Sequence, residues 1–134
     1  MLDRLFGPKK LRILSADDNP QVRALVKEVL SLEGYLVDSV EDGQEAIDRL
    51  RKQSYDLVIL DVHMPKLEGP QVLELIRLMP NCKDVGVIML TSEAVTTTFT
   101  HAYELGVVNY IMKPFSAAKL LETVKTYLDS KKPR

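Results

Sequence analysis

Apolar positions follow two rhythms that alternate along the chain. Residues 11–16 (LRILSA), 35–40 (YLVDSV), 56–60 (DLVIL), 86–90 (GVIML) and 107–112 (VVNYIM) are short apolar runs rich in β-branched side chains, and they predict strands. LVIL and VIML are continuous rather than alternating, as strands covered on both faces must be. Between these runs the spacing lengthens. Val22, Leu25, Val26, Val29 and Leu30 recur at the interval of a one-sided helix, and Leu120, Leu121, Val124 and Leu128 repeat it near the end. Asn19-Pro20, Gly69-Pro70 and Ser116 predict helix starts, and Gly34 predicts a stop. Residues 93–105 predict the weakest helix, because Thr96, Thr97, Thr98 and Thr100 are β-branched. Five strand–helix pairs predict an α/β fold, a (βα)5 doubly wound parallel five-stranded sheet. It occupies residues 11–130, with residues 1–10 an N-terminal extension and 131–134 a short basic tail.

Ligands of such sheets sit beyond the carboxyl ends of the strands, so what each strand carries there matters. The first carries Asp17-Asp18, the third Asp61, the fourth Thr91-Ser92 and the fifth Lys113-Pro114. The second, ending near Glu41-Asp42, brings nothing obvious, as suits an edge strand. Asp61 closes the run Leu57 to Leu60, and a carboxylate beside a core needs something to hold its charge. Three acids gathered at one edge repel one another unless a cation is present. With oxygen ligands and no cluster of His or Cys, Mg²⁺ is favoured over Zn²⁺. Lys113 adds a mobile positive charge and Thr91 a hydroxyl donor for a phosphoryl oxygen. Acid, metal, lysine and hydroxyl together describe phosphoryl transfer, with Asp61 as nucleophile.

Composition narrows the classes. The 134 residues are 46% hydrophobic and 28% charged, which excludes a disordered chain. A net charge of −1 gives no basic field, so neither nucleic acid nor an acidic membrane is an expected partner. Cys82 is the single cysteine, which rules out an internal disulfide and predicts a surface or half-buried thiol. No run approaches the ~18 apolar residues of a membrane span, and MLDRLFGPKK lacks the apolar core of a secretory signal. A cytoplasmic location is expected.

DD at 17–18, DVHMPKLEG at 61–69, TS at 91–92 and KPF at 113–115 resemble the response-regulator receiver domains of two-component signalling, over roughly residues 11–129. The resemblance implies a flavodoxin-like strand order, 2-1-3-4-5. It implies that Asp61 accepts a phosphoryl group from the phosphohistidine of a sensor histidine kinase or phosphotransfer protein. Asp17 and Asp18 match the acidic pair that holds Mg²⁺, and His63 sits where a backbone carbonyl joins the metal. Thr91 and Lys113 match the hydroxyl and lysine that grip the acyl phosphate, and Tyr110 the aromatic switch. The implied readout face is the fourth helix, fifth strand and fifth helix, residues 94–129. Output is then expected through a protein partner or onward relay, unless the chain is an excised piece of a longer protein. Slow autodephosphorylation is implied, without enzymatic turnover.

Two departures stand out. His63 replaces the polar amide common in chemotaxis-type members; with Glu93 it is expected to flank the attacking water and tune the phosphoryl lifetime. Leu105 and Val107 surround Gly106 where many relatives carry small residues, which predicts a restricted swing of Tyr110. A phosphatase of the haloacid-dehalogenase type also uses an aspartyl nucleophile and magnesium. It wants a second aspartate two positions on, where His63 stands after Asp61 and Asn19 after Asp17. A degenerate receiver serving only as a scaffold is disfavoured because every primary site residue is present.

Overall fold

In the computed structural model, which describes residues 10–92 and 104–131, five parallel strands form one sheet in the order β2-β1-β3-β4-β5. β1 (Arg12–Ala16), β2 (Leu36–Val40), β3 (Leu57–Asp61), β4 (Gly86–Thr91) and β5 (Val107–Met112) match the predicted runs to within one residue at either end. The described helices are α1 (Pro20–Leu32), α2 (Gly43–Lys52), α3 (Gly69–Ile76) and α4 (Ala117–Ser130), with a 3-10 turn at Pro80–Cys82. Residues 93–103 of the helix predicted at 93–105 lie outside the described residues, as do positions 1–9 and 132–134, so α4 is the last helix of the sequence reading.

The helix signals act as their chemistry dictates. The Asn19 side chain accepts from the N–H groups of Gln21 and Val22 at 2.8 and 3.3 Å, and Ser116 Oγ accepts from Lys119 N–H at 3.0 Å. Gly34, at φ +94°, ends α1 in a conformation costly for any residue with a Cβ.

Two cores lie on opposite faces of the sheet. Along β3, Val58 and Leu60 point toward α2 and α3, where they meet Leu50, Val72 and Ile76. Leu57 and Ile59 point the other way, to Val26 and Leu30 of α1 and Leu120, Val124 and Leu128 of α4. All five β3 residues are buried, which is why its sequence cannot alternate.

β5 departs from simple alternation. Val87 pairs with Val107 but Ile88 pairs with Asn109, so Val108 is an extra, bulged residue. The bulge puts Val107 and Tyr110 together in the α2–α3 core and sends Ile111 to the opposite face.

At the amino ends of the strands, Arg77 gathers backbone carbonyls from two stretches, 82–85 and 105–106. Its guanidinium donates to Leu105 at 2.6 Å, Val85 at 2.7 Å and Cys82 at 2.9 Å, with Lys83 and Gly106 at 3.3 Å. Cys82 differs from the expected surface or half-buried thiol. It is 1% exposed, because the 3-10 turn folds it into the α2–α3 core, and burial raises its pKa. Among the described residues no helix is long and apolar enough to cross a membrane.

Candidate functional site

Because β1, β3, β4 and β5 are adjacent and parallel, their carboxyl ends share one edge. Asp17 follows β1, Asp61 ends β3, Thr91 ends β4 and Lys113 follows β5. Lys113 Nζ stands 2.8 Å from Asp17 Oδ2 and 3.2 Å from Asp61 Oδ1. Carboxylate oxygens of Asp17, Asp18 and Asp61 lie within 4.8 Å of one another. Asp17 and Asp61 are buried while Asp18 faces solvent.

Backbone bonds hold these ends in place. Val62 N–H donates to the Leu90 carbonyl at 2.9 Å, and Lys113 N–H to the Thr91 carbonyl at 2.7 Å. Asn19 caps α1 and also donates its N–H to Asp17 Oδ1 at 2.9 Å. Gly69 brings the start of α3 against the acceptor strand. A Cβ there would stand 2.5 Å from the Asp61 carbonyl oxygen, closer than any side chain can sit.

The electrostatics follow from that crowding. Burial, then the charge of Asp17, pushes the Asp61 pKa up to about 6; Lys113 and a hydrogen bond from His63 N–H pull it the other way. Burial works against the Lys113 ammonium, but Asp17 and Asp61 outweigh it and hold its pKa above the usual lysine value. Three carboxylates against one ammonium leave two formal negative charges. Among the described residues Asp17 Oδ2 is buried without an aligned hydrogen-bond donor, and it stands 2.8 Å from Lys113 Nζ. An oxygen-only cluster with that charge fits a hard divalent cation.

The other predicted residues divide. Thr91 is 1% exposed and follows Leu90, the register partner of Asp61. Tyr110 is buried in the same core as Val107, and Leu105 packs against that core. His63 turns its ring outward, with Nδ1 3.8 Å from Glu68 Oε1. Glu93 lies outside the described residues. The end of β2 is not idle, which corrects the sequence reading. Asp42 accepts from Glu45 N–H at 2.8 Å to cap α2, and its carboxylate stands 3.3 Å from Lys66 Nζ. Lys66 occupies the left-handed region at φ +70°, and Gly43 lets the Leu67 carbonyl approach α2. The β3–α3 loop is thereby tied to α2. An aspartate is a common helix cap, a local signal that the sequence reading passed over at Asp42, and nothing in the sequence shows which distant lysine meets it.

A cavity of 380 Å³ lined by Leu11, Tyr55, Asn81 and Leu128 lies at the other end of the sheet and touches none of these residues.

Residues 13–125 match the family model of the response regulator receiver domain. The chain is 36% identical over 117 residues to the transcriptional regulatory protein ResD of Bacillus subtilis, covering 87% of this chain and 48% of ResD. It thus spans about half the length of ResD and of the first curated relatives beside it. With the chemotaxis protein CheY-3 of Vibrio cholerae it shares 36% identity over 115 residues, 85% of this chain and 88% of CheY-3. Among solved structures, the receiver domain of sensor histidine kinase PA1611 from Pseudomonas aeruginosa carries a magnesium ion coordinated in its active-site cleft. It matches with a TM-score of 0.81 at 29% identity, over 90% of this chain and 99% of that one.

Proposed function

The chain belongs to the response-regulator receiver family, and from that premise we propose that it is a phospho-accepting switch in which Asp61 takes a phosphoryl group from a phosphohistidine. The donor is a sensor histidine kinase or a phosphotransfer protein. The observation that carries the assignment is the Lys113 ammonium lying between Asp17 and Asp61, at 2.8 and 3.2 Å. A half-buried lysine shared by two carboxylates is poised to follow charge from Asp61 onto a phosphoryl oxygen.

An Asp61 carboxylate oxygen attacks phosphorus, the P–N bond to the donor imidazole breaks, and its electron pair returns to the ring nitrogen. Lys113 and the Thr91 hydroxyl hold oxygens of the transferred group. Asp17, Asp18, Asp61 and the His63 backbone carbonyl are the ligands for Mg²⁺, which when bound supplies positive charge beside those oxygens. Thr91 and Tyr110 form the switch, and the readout surface takes in residues 94–129 of a receiver unit at 11–130. His63 and Glu93 tune how long the acyl phosphate survives. The protein is a substrate that promotes its own phosphorylation and dephosphorylation, without turnover on another molecule. It works in the cytoplasm through a protein partner or onward relay, not through nucleic acid or a membrane.

The test is incubation with Mg²⁺ and acetyl phosphate, followed by mass measurement of a hydroxylamine-labile adduct. The adduct is expected with the wild type and absent with Asp61→Asn or with EDTA. An adduct that persisted in Asp61→Asn would overturn the assignment.

A further inference from the structure

Arg23, on the first turn of α1, makes a contact that the transfer chemistry does not by itself call for. Its Nη1 donates to the backbone carbonyl of Asp17 at 2.8 Å, while Nη2 lies 3.9 Å from Glu41 Oε2, just past β2. The remaining polar atoms of Asp17 are also engaged. Its N–H donates to the Val40 carbonyl at 3.2 Å, and Oδ1 accepts from Asn19 N–H at 2.9 Å. Oδ2 stands 2.8 Å from Lys113 Nζ.

We propose that Arg23 is a positioning residue for the divalent cation: by holding the Asp17 carbonyl from α1, it fixes the Asp17-Asp18 turn so that both carboxylates meet the ion. This rests on reading Asp17 and Asp18 as cation ligands. Two effects of a guanidinium at this place oppose each other. Its charge repels an incoming cation, and its hydrogen bond orders the ligands. Geometry decides between them. Arg23 touches a backbone carbonyl, whereas Lys113 is the cation that sits between the Asp17 and Asp61 carboxylates. Removing Arg23 therefore leaves the charge of the three acids unchanged, but strips the donor from a carbonyl on a fully buried residue. Partners that orient metal ligands without touching the metal are worth tenfold or more in affinity. A guanidinium can serve acceptors on two elements at once through its planar fork, which an ammonium cannot reproduce.

The test titrates Mg²⁺ into the full chain by calorimetry for wild type, Arg23→Lys and Arg23→Gln, with melting temperatures taken in EDTA. Arg23→Gln is expected to weaken Mg²⁺ about tenfold, with part of the loss recovered by Arg23→Lys. Labelling by acetyl phosphate should need more Mg²⁺ in both variants yet reach the wild-type maximal rate. Unchanged or tighter Mg²⁺ binding in Arg23→Gln, with normal binding by the wild type, overturns this inference alone. So does a lower melting temperature in EDTA with unaltered Mg²⁺ affinity, since that marks a merely structural role. A wild type that binds no Mg²⁺ overturns the reading of the acids as ligands, and this inference with it.

Discussion

Asp61 is 6% exposed and shares its surroundings with Asp17, so it holds its proton up to about pH 6, well above the ordinary carboxyl value of 3.8. Between those two values the unfolded chain has released a proton that the folded protein still keeps. Stability therefore falls as pH rises through that window. Asp61→Asn removes the penalty. In EDTA at neutral pH it is expected to melt higher than the wild type by on the order of 1 kcal/mol, a shift discounted for solvent screening at this edge. The gap should close as the pH falls toward 3.8, where both side chains are neutral. Thermal unfolding across that range checks it. Residues of this kind were legible in the sequence because a strand end in a parallel sheet has only one place to go. Arg23 and Lys66 were not, since each acts through a long side chain whose partner is set by packing rather than by position.

Secondary structure was readable to different depths. Caps at Asn19 and Ser116 declare themselves through local chemistry, a side-chain oxygen meeting N–H groups within the next turn. α2 was harder, because its buried Ala46, Ile47 and Leu50 sit in a charged stretch and only alternation of elements implied a helix. The β5 bulge could not be read at all, since VVNYIM is apolar on both faces and fits either phase. It is nevertheless what lets Val107 and Tyr110 share one face of the sheet. Val108 is 40% exposed, so Val108→Ala should change stability by less than about 0.5 kcal/mol. Deleting Val108 removes the bulge but leaves Asn109, Tyr110, Ile111 and Met112 opposite the same β4 residues, so Tyr110 and Ile111 should keep their faces. Urea unfolding should leave both variants near the wild-type midpoint, and a far lower midpoint for the deletion would show that the extra residue is needed to bring the chain into β5.

For the molecule as a whole, alternation gave the fold class, while the strand order 2-1-3-4-5 came from family resemblance, because spacing alone does not say which strands are neighbours. Contacts across that order close the sheet at its β2 side. Tyr55 donates its hydroxyl to Asp38 Oδ2 at 2.6 Å, and Arg49 and Arg12 approach the same oxygen at 3.5 and 4.0 Å. Burial, then the bond to Asp38, pushes the Tyr55 pKa from 10.0 up to about 12. Above pH 10 the unfolded chain loses that proton first, so this part of the stability declines from pH 10 to about 12. Tyr55→Phe should flatten the alkaline slope, which denaturation midpoints at several pH values would reveal.

The carbonyls collected by Arg77 give the sheet an asymmetry of stiffness. One guanidinium rivets the exit of α3 to the approaches of β4 and β5, at the end of those strands opposite Thr91 and Lys113. Loosening that clamp should be felt first at the amino ends of both strands rather than at their carboxyl edge. Arg77→Lys, which cannot span the same acceptors, should let deuterium enter the amides of residues 85–87 and 107 faster. An exchange map identical to that of the wild type would mean that the base is anchored by something else.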